Sequence, residues 1–184
     1  GAVARALKVS SKLGVQLDSL ADLITFGVLP AFIYASIFKM QTVGYLILLV
    51  PICSAIRLAI FNISDDQKTS FKGISTTAHG LFASTLPIII WQGNTYFAQS
   101  LDKLPFIVVI MAVFFSYLMV SPLRMISLKF KGFGLSNNWE KYTLLLSGLI
   151  LVIILQYQAA PWIMMAYLLL SIITNFRKLE SANE

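Results

Sequence analysis

From Gly14 to Phe38, and again from Thr42 to Asn62, the chain stays apolar for longer than a bilayer-crossing helix requires. A helix rises about 1.5 Å per residue and the hydrocarbon core is about 30 Å thick, so about 20 apolar residues suffice. Four further apolar segments follow: Thr76 to Gln92, Leu104 to Ser121, Tyr142 to Tyr157 and Pro161 to Phe176. The last two are short and need flanking residues to span. Only Gln158-Ala159-Ala160 separates them, which predicts a helical hairpin. The composition is 58% hydrophobic and 12% charged. A soluble domain carries about 25% charged residues, so this much apolar surface points to lipid rather than to a soluble core.

Backbone groups in lipid must be satisfied by helices or by closed barrels. Runs such as Leu144 to Leu155 lack the alternation of a barrel strand. The expected fold is therefore all-α, a polytopic integral membrane protein with six transmembrane helices in this chain. Residues 1–184 read as a single membrane domain, with residues 142–176 as its C-terminal hairpin. Pro30, Pro51 and Pro87 fall inside spans and predict kinks.

Charge sets the orientation. With the Gly1–Leu13 end in the cytoplasm, Arg5, Lys8, Lys12, Lys68, Lys72, Arg124, Lys129, Lys131, Lys141, Arg177 and Lys178 lie inside, and only Lys39 and Lys103 lie outside. Such a bias is the positive-inside pattern, and it accounts for the net charge of +6. Attraction to anionic lipid explains these basic loops without nucleic acid as a partner. Trp91, Trp139 and Trp162 fall near the expected interfaces, where an aromatic belt belongs. The single cysteine, Cys53, reads as a small apolar residue. The chain begins at Gly1 without a secretory leader and reads as lacking its natural N-terminus.

Asp18, Asp22 and Arg57 fall inside these spans, where a charge at a helix centre costs roughly 3 kcal/mol and is functional by default. Asp18 and Asp22 are four residues apart, which puts both carboxylates on one helix face, with Gly14 one turn before them. Two like charges at that spacing favour a hard divalent cation with oxygen ligands, such as Mg²⁺ or Mn²⁺. A pair of headgroup-level aspartates without metal is the alternative. Upstream, Gly1-Ala2-Val3-Ala4-Arg5 offers small residues for close backbone approach and an arginine suited to phosphate.

From its first residue the chain reads G-x-x-A-R, eight residues, Gly14, three residues, Asp18, three residues, Asp22. This resembles the signature of the CDP-alcohol phosphotransferase family, D-x-x-D-G-x-x-A-R-x8-G-x3-D-x3-D, from its glycine onward. The resemblance implies a divalent metal site that grips the diphosphate of a CDP-lipid. By position, Asp18 would be a metal ligand, and Asp22 the catalytic base that also touches metal. Gly1 and Ala4 would border the nucleotide, Arg5 would lie near its phosphates, and Gly14 would leave room beside it. The first two signature aspartates would precede Gly1, with about eight spans in the intact protein. Residues 1–184 alone are expected to be inactive.

Leu17 to Ala31, read as L-D-S-L-A-D-x-x-T-F-G-V-x-P-A, resembles the serine-using branch of the family, as does Arg57-Leu58-Ala59-Ile60-Phe61-Asn62. The stretch Tyr117 to Lys131 is similar to it too. Three positions depart from the branch pattern: Ile60 stands for an arginine, and Ser75 and Thr77 for prolines. The implied activity is transfer of a phosphatidyl group from CDP-diacylglycerol to L-serine, giving phosphatidylserine and CMP. A sister enzyme using glycerol 3-phosphate or an inositol phosphate is the alternative, and an ion-coupled transporter is the alternative of another class. The resemblance further implies a homodimer in the cytoplasmic membrane, with its active site facing the cytoplasm. Arg57 is either an anion contact for the acceptor or lipid phosphate, or a structural partner to backbone carbonyls. Lys129 is either a phosphate contact or a topology charge. Asn62 and Ser121 are minor polar candidates, and His79, the lone histidine, is expected to be structural or solvent-facing.

Overall fold

The structure is a computed structural model that describes residues 11–38, 42–63, 71–93, 96–126 and 138–180. Helices α1 (Lys12–Leu23) and α2 (Leu29–Phe38) form one rod, joined by a single π-helical turn, Ile24–Val28. Ser11 caps its start, its hydroxyl accepting from the Gly14 amide at 2.9 Å. A 3₁₀ run, Thr42–Leu48, leads into α3 (Leu49–Ile63). After strand β1 (Phe71–Lys72) come α4 (Thr76–Gln92), α5 (Tyr96–Lys103) and α6 (Phe106–Val120). Strand β2 (Arg124–Met125) pairs antiparallel with β1. Helix α7 (Trp139–Leu155), a short 3₁₀ turn and α8 (Ala159–Glu180) close the chain.

Each of the six apolar segments carries a helix, and the architecture is all-α apart from the two-residue ribbon. The runs Leu13–Phe38 and Gly44–Ile63 are long and apolar enough to cross a membrane. Only 22% of each window is buried inside the fold, whereas a core helix of a soluble protein would be mostly covered. Leu17, Phe32, Ile110, Ile153 and Trp162 are among the large apolar side chains turned outward. Phe106–Val120 and Ala159–Asn175 are shorter apolar helices.

The prolines behave differently from one another. Pro30 has no N–H to return to the preceding turn, and in an unbroken α-helix its ring would press on the Phe26 carbonyl. The wider π-turn just before it relieves that clash. Pro51 sits in the first turn of α3, where the 3₁₀ run ends, so it removes no interior hydrogen bond. Pro87 is carried inside α4. Two elements depart from the sequence expectation. α5 is a short amphipathic helix that buries Ala98 and Leu101 and exposes Tyr96, and its polar face hid it among loop residues. The hairpin turn lies at Gln156–Gln158 rather than at Gln158–Ala160, with Gln156 at φ 49°.

The core lies between α2, α3, α4 and α6, where Tyr34, Val50, Ala83, Leu86, Val108 and Ala112 are wholly buried. Small residues let these helices approach closely. A Cβ on Gly27 would meet Ser54 Cβ at 3.0 Å, and one on Gly80 would meet Phe26 Cδ1 at 2.6 Å. α7 and α8 pack against each other, and α8 docks on β2. Ser171 Oγ accepts from the Ile126 amide at 3.3 Å, and the Tyr167 hydroxyl donates to the Ile126 carbonyl at 3.2 Å.

Candidate active site

Helix α1 carries Gly14, Asp18 and Asp22 one turn apart. Asp18 is exposed and Asp22 half-buried. Ser19, between them, receives a hydrogen bond from Asn62 Nδ2 at 2.9 Å. The end of α3 is thereby pinned to α1 at the level of the carboxylates, and Asn62 acquires a positioning contact. Among the described residues, a Cβ on Gly14 would meet only Ser11 Oγ, at 3.1 Å. Gly1, Ala4, Arg5 and Lys129 lie outside the described residues.

Arg57 lies five residues before Asn62, about 7.5 Å deeper along α3. It is 6% exposed. Its guanidinium donates to the carbonyls of Ile74 and, at 3.3 Å, of Gly73. Of the two alternatives for Arg57, the backbone-carbonyl contacts are therefore present. They hold a strap, residues 71–75, against the end of α6. The Gly73 amide donates to the Leu123 carbonyl at 2.8 Å, and the Ile74 amide to the Leu118 carbonyl at 3.1 Å. Gly73 has φ +71°, and a Cβ there would collide with the Met119 carbonyl oxygen and fall 2.8 Å from that of Leu118. Ser75, where the serine branch has proline, caps α4 by accepting from the Ala78 amide at 3.1 Å. Ser121 is buried and accepts from the Leu123 amide at 3.3 Å, a turn contact.

Sequence reasoning did not anticipate a cavity of ≈ 970 Å³ between α4, α7 and α8. Its walls are largely aliphatic, with Leu81, Leu145, Leu149 and Ile163 among them, and Arg57, Ser75 and Tyr167 supply polar groups. Neither Asp18 nor Asp22 lines it. The structure thus groups Gly14, Asp18, Asp22, Ser19 and Asn62 at one place and Arg57 with the strap and cavity at another.

His79 is wholly buried, not solvent-facing. Its Nε2 is 2.8 Å from the Tyr34 hydroxyl, and its ring packs on Phe115 at 5.0 Å between centroids. No local pattern in the sequence marks it, because Tyr34 lies 45 residues away in the chain.

Two carboxylates on one helix face are hard oxygen donors of the kind Mg²⁺ and Mn²⁺ prefer. No group of three His, Cys, Asp or Glu side chains occurs among the described residues. Asp18 and Asp22 therefore fit such an ion as part of a ligand set.

The family model for CDP-alcohol phosphatidyltransferase matches residues 1–118. That region contains both aspartates, Arg57 and His79. A CDP-diacylglycerol–serine O-phosphatidyltransferase from Helicobacter pylori is 30% identical over 177 residues, covering 94% of this chain and 72% of the relative. One of the same name from Bacillus subtilis is 33% identical over 127 residues, covering 67% of this chain and 64% of the relative. One from Mycobacterium leprae is 45% identical over 71 residues, covering 38% of this chain and 24% of the relative. The match thus spans about a quarter of that mycobacterial protein. No solved structure matches. The family match runs over residues 1–118, well over half of the sequence, and the chain belongs to the CDP-alcohol phosphatidyltransferase family.

Proposed function

We propose that this protein transfers the phosphatidyl group of CDP-diacylglycerol to the hydroxyl of L-serine, giving phosphatidylserine and CMP. The observation that carries the reading is the Asp18–Asp22 pair, set at helical spacing on one face of an apolar, membrane-length helix. The names of the relatives, as far apart as Helicobacter and Bacillus, support serine as the acceptor.

In this reading Asp18 and Asp22 hold a divalent cation, Mg²⁺ or Mn²⁺, which would neutralise charge on the diphosphate and on the departing CMP. Asp22 accepts the proton of the serine hydroxyl. The serine oxygen forms a bond to the β-phosphorus as the bond from that phosphorus to the CMP oxygen breaks. Beside such a cation Asp22 would be a weak base, so its contribution would be position more than basicity. Gly1, Ala4 and Gly14 border the nucleotide, and Arg5 meets its phosphates. Arg57, already bound to two carbonyls, keeps donors for an anion, and Lys129 is a second anion contact. The aliphatic cavity beside Arg57 suits an acyl chain of the donor. All six helical segments cross the cytoplasmic membrane as a single domain. The carboxylates sit at its inner face, and two copies pair as a homodimer.

The test is CMP release by the full-length protein in detergent with CDP-diacylglycerol and Mn²⁺. Radiolabelled serine, glycerol 3-phosphate and inositol phosphate would be offered in turn. Label entering lipid from serine alone is expected. Label from another acceptor and none from serine would reassign the substrate. Ion-dependent transport without CMP release would reassign the class.

A further inference from the structure

The π-turn between α1 and α2 does more than relieve Pro30. An unbroken helix advances about 100° per residue, which would place Asp22 and Tyr34 about 120° apart around the rod. A π-turn accommodates one extra residue and takes back about 100°, leaving the two within about 20° of each other. Tyr34 is wholly buried on the core face of α2. The turn therefore rotates the carboxylate helix so that Asp22 looks along the same side as the core. Asp18 follows about 40° away.

Pro30 disfavours a regular helix here but can be met by a kink as well as by a π-turn, so something must hold the wider turn in this one geometry. Three contacts converge on it. Gly27 packs on Ser54 of α3, and Gly80 of α4 admits the side chain and backbone of Phe26. One residue before Gly80, the buried His79 lies beside the Phe26 backbone that Gly80 admits, and its Nε2 bonds the Tyr34 hydroxyl at 2.8 Å beyond the turn. His79 Nδ1 is buried without a hydrogen-bond partner among the described residues. The ring thus sits against the widened turn and is tied to the helix that follows it.

We propose that His79, seated by Gly80 and tied to Tyr34, is a positioning residue for the reaction: it holds the π-turn and so fixes the angle at which Asp18 and Asp22 share a divalent cation. The proposal rests on the metal-dependent reading above. It differs from a purely structural role because it ties a buried pair to cation affinity.

Mn²⁺ binding is read by EPR titration of the detergent-solubilised full-length protein, independently of turnover. His79→Ala and Gly80→Ala are expected to weaken Mn²⁺ binding by about tenfold, the loss typical when a ligand's support is removed. The acceptor KM should stay within about twofold of wild type and kcat should fall. His79→Gln, which restores a hydrogen-bonding group at the Nε2 position, should recover most of the affinity. Wild-type Mn²⁺ affinity in folded, monodisperse His79→Ala and Gly80→Ala would overturn the proposal. If both fail to fold, Tyr34→Phe removes a single oxygen and decides the matter: a raised Mn²⁺ dissociation constant supports the proposal and an unchanged one overturns it. A wild-type protein that binds Mn²⁺ yet releases no CMP would sink the catalytic reading and leave the positioning result standing.

Discussion

In the proposed reading Asp22 is both ligand and base, and two contacts near it bear on how that carboxylate is held. Asn62 steadies Ser19 one turn away, and the π-turn sets the angle of the helix. Replacing either carboxylate by its amide keeps the shape and removes the charge. In the full-length protein, Asp18→Asn and Asp22→Asn should each lower CMP release by at least about 100-fold while membrane insertion is unchanged. Wild-type rates in either would remove that aspartate from the mechanism. Gly73 makes a different demand, because its φ of +71° and the two carbonyl oxygens that face it leave no room for a side chain. Gly73→Ala should cost about 2–4 kcal/mol in thermal unfolding, with the strap displaced from α6. The aspartates and Gly14 were legible because a fixed spacing carries them. His79 was legible only as a lone histidine with no motif. Its partners, Tyr34 and Phe26, are 45 and 53 positions away in the chain, a separation no local pattern encodes.

At the scale of elements, apolar run length located every long helix, since lipid or core burial of that many residues leaves little else. What it missed depends on contacts between elements. α5 shows a half-polar face that resembles a loop until Ala98 and Leu101 are seen buried. The widening before Pro30 depends on Gly80 accepting Phe26, which is a property of two helices together. The packing of α4 gives a direct test. Leu86 is fully buried, and Leu86→Ala should cost about 2–5 kcal/mol by leaving a hole among α2, α4 and α6. On the facing hairpin, Gly148 lines the cavity, and a Cβ there would meet nothing within 4 Å among the described residues. Gly148→Leu should therefore fold normally, and in the proposed reading it should slow long-chain donors more than short-chain ones. Equal rates across chain lengths would place the acyl chain elsewhere.

For the whole molecule, the distribution of lysine and arginine gives a definite expectation of which loops face the cytoplasm. Single cysteines in place of Lys72, Lys103 and Lys141, with Cys53 replaced by serine, should divide under a membrane-impermeant thiol reagent applied to intact cells. The cysteine at position 103 should label from outside, and those at 72 and 141 only after the membrane is opened. Labelling of position 72 from outside would invert the topology and carry the carboxylates to the wrong face.

The hairpin of α7 and α8 packs on α4 and on β2, and α8 holds, through Ser171 at the amide and Tyr167 at the carbonyl, both backbone groups of Ile126. That residue directly follows β2, whose partner strand leads into the two carbonyls gripped by Arg57. The hairpin and the guanidinium are therefore joined by a short run of backbone, and Arg57 itself lines the chamber that the hairpin helps to enclose. A side chain enlarged in that chamber should press on the ribbon and on Arg57 together.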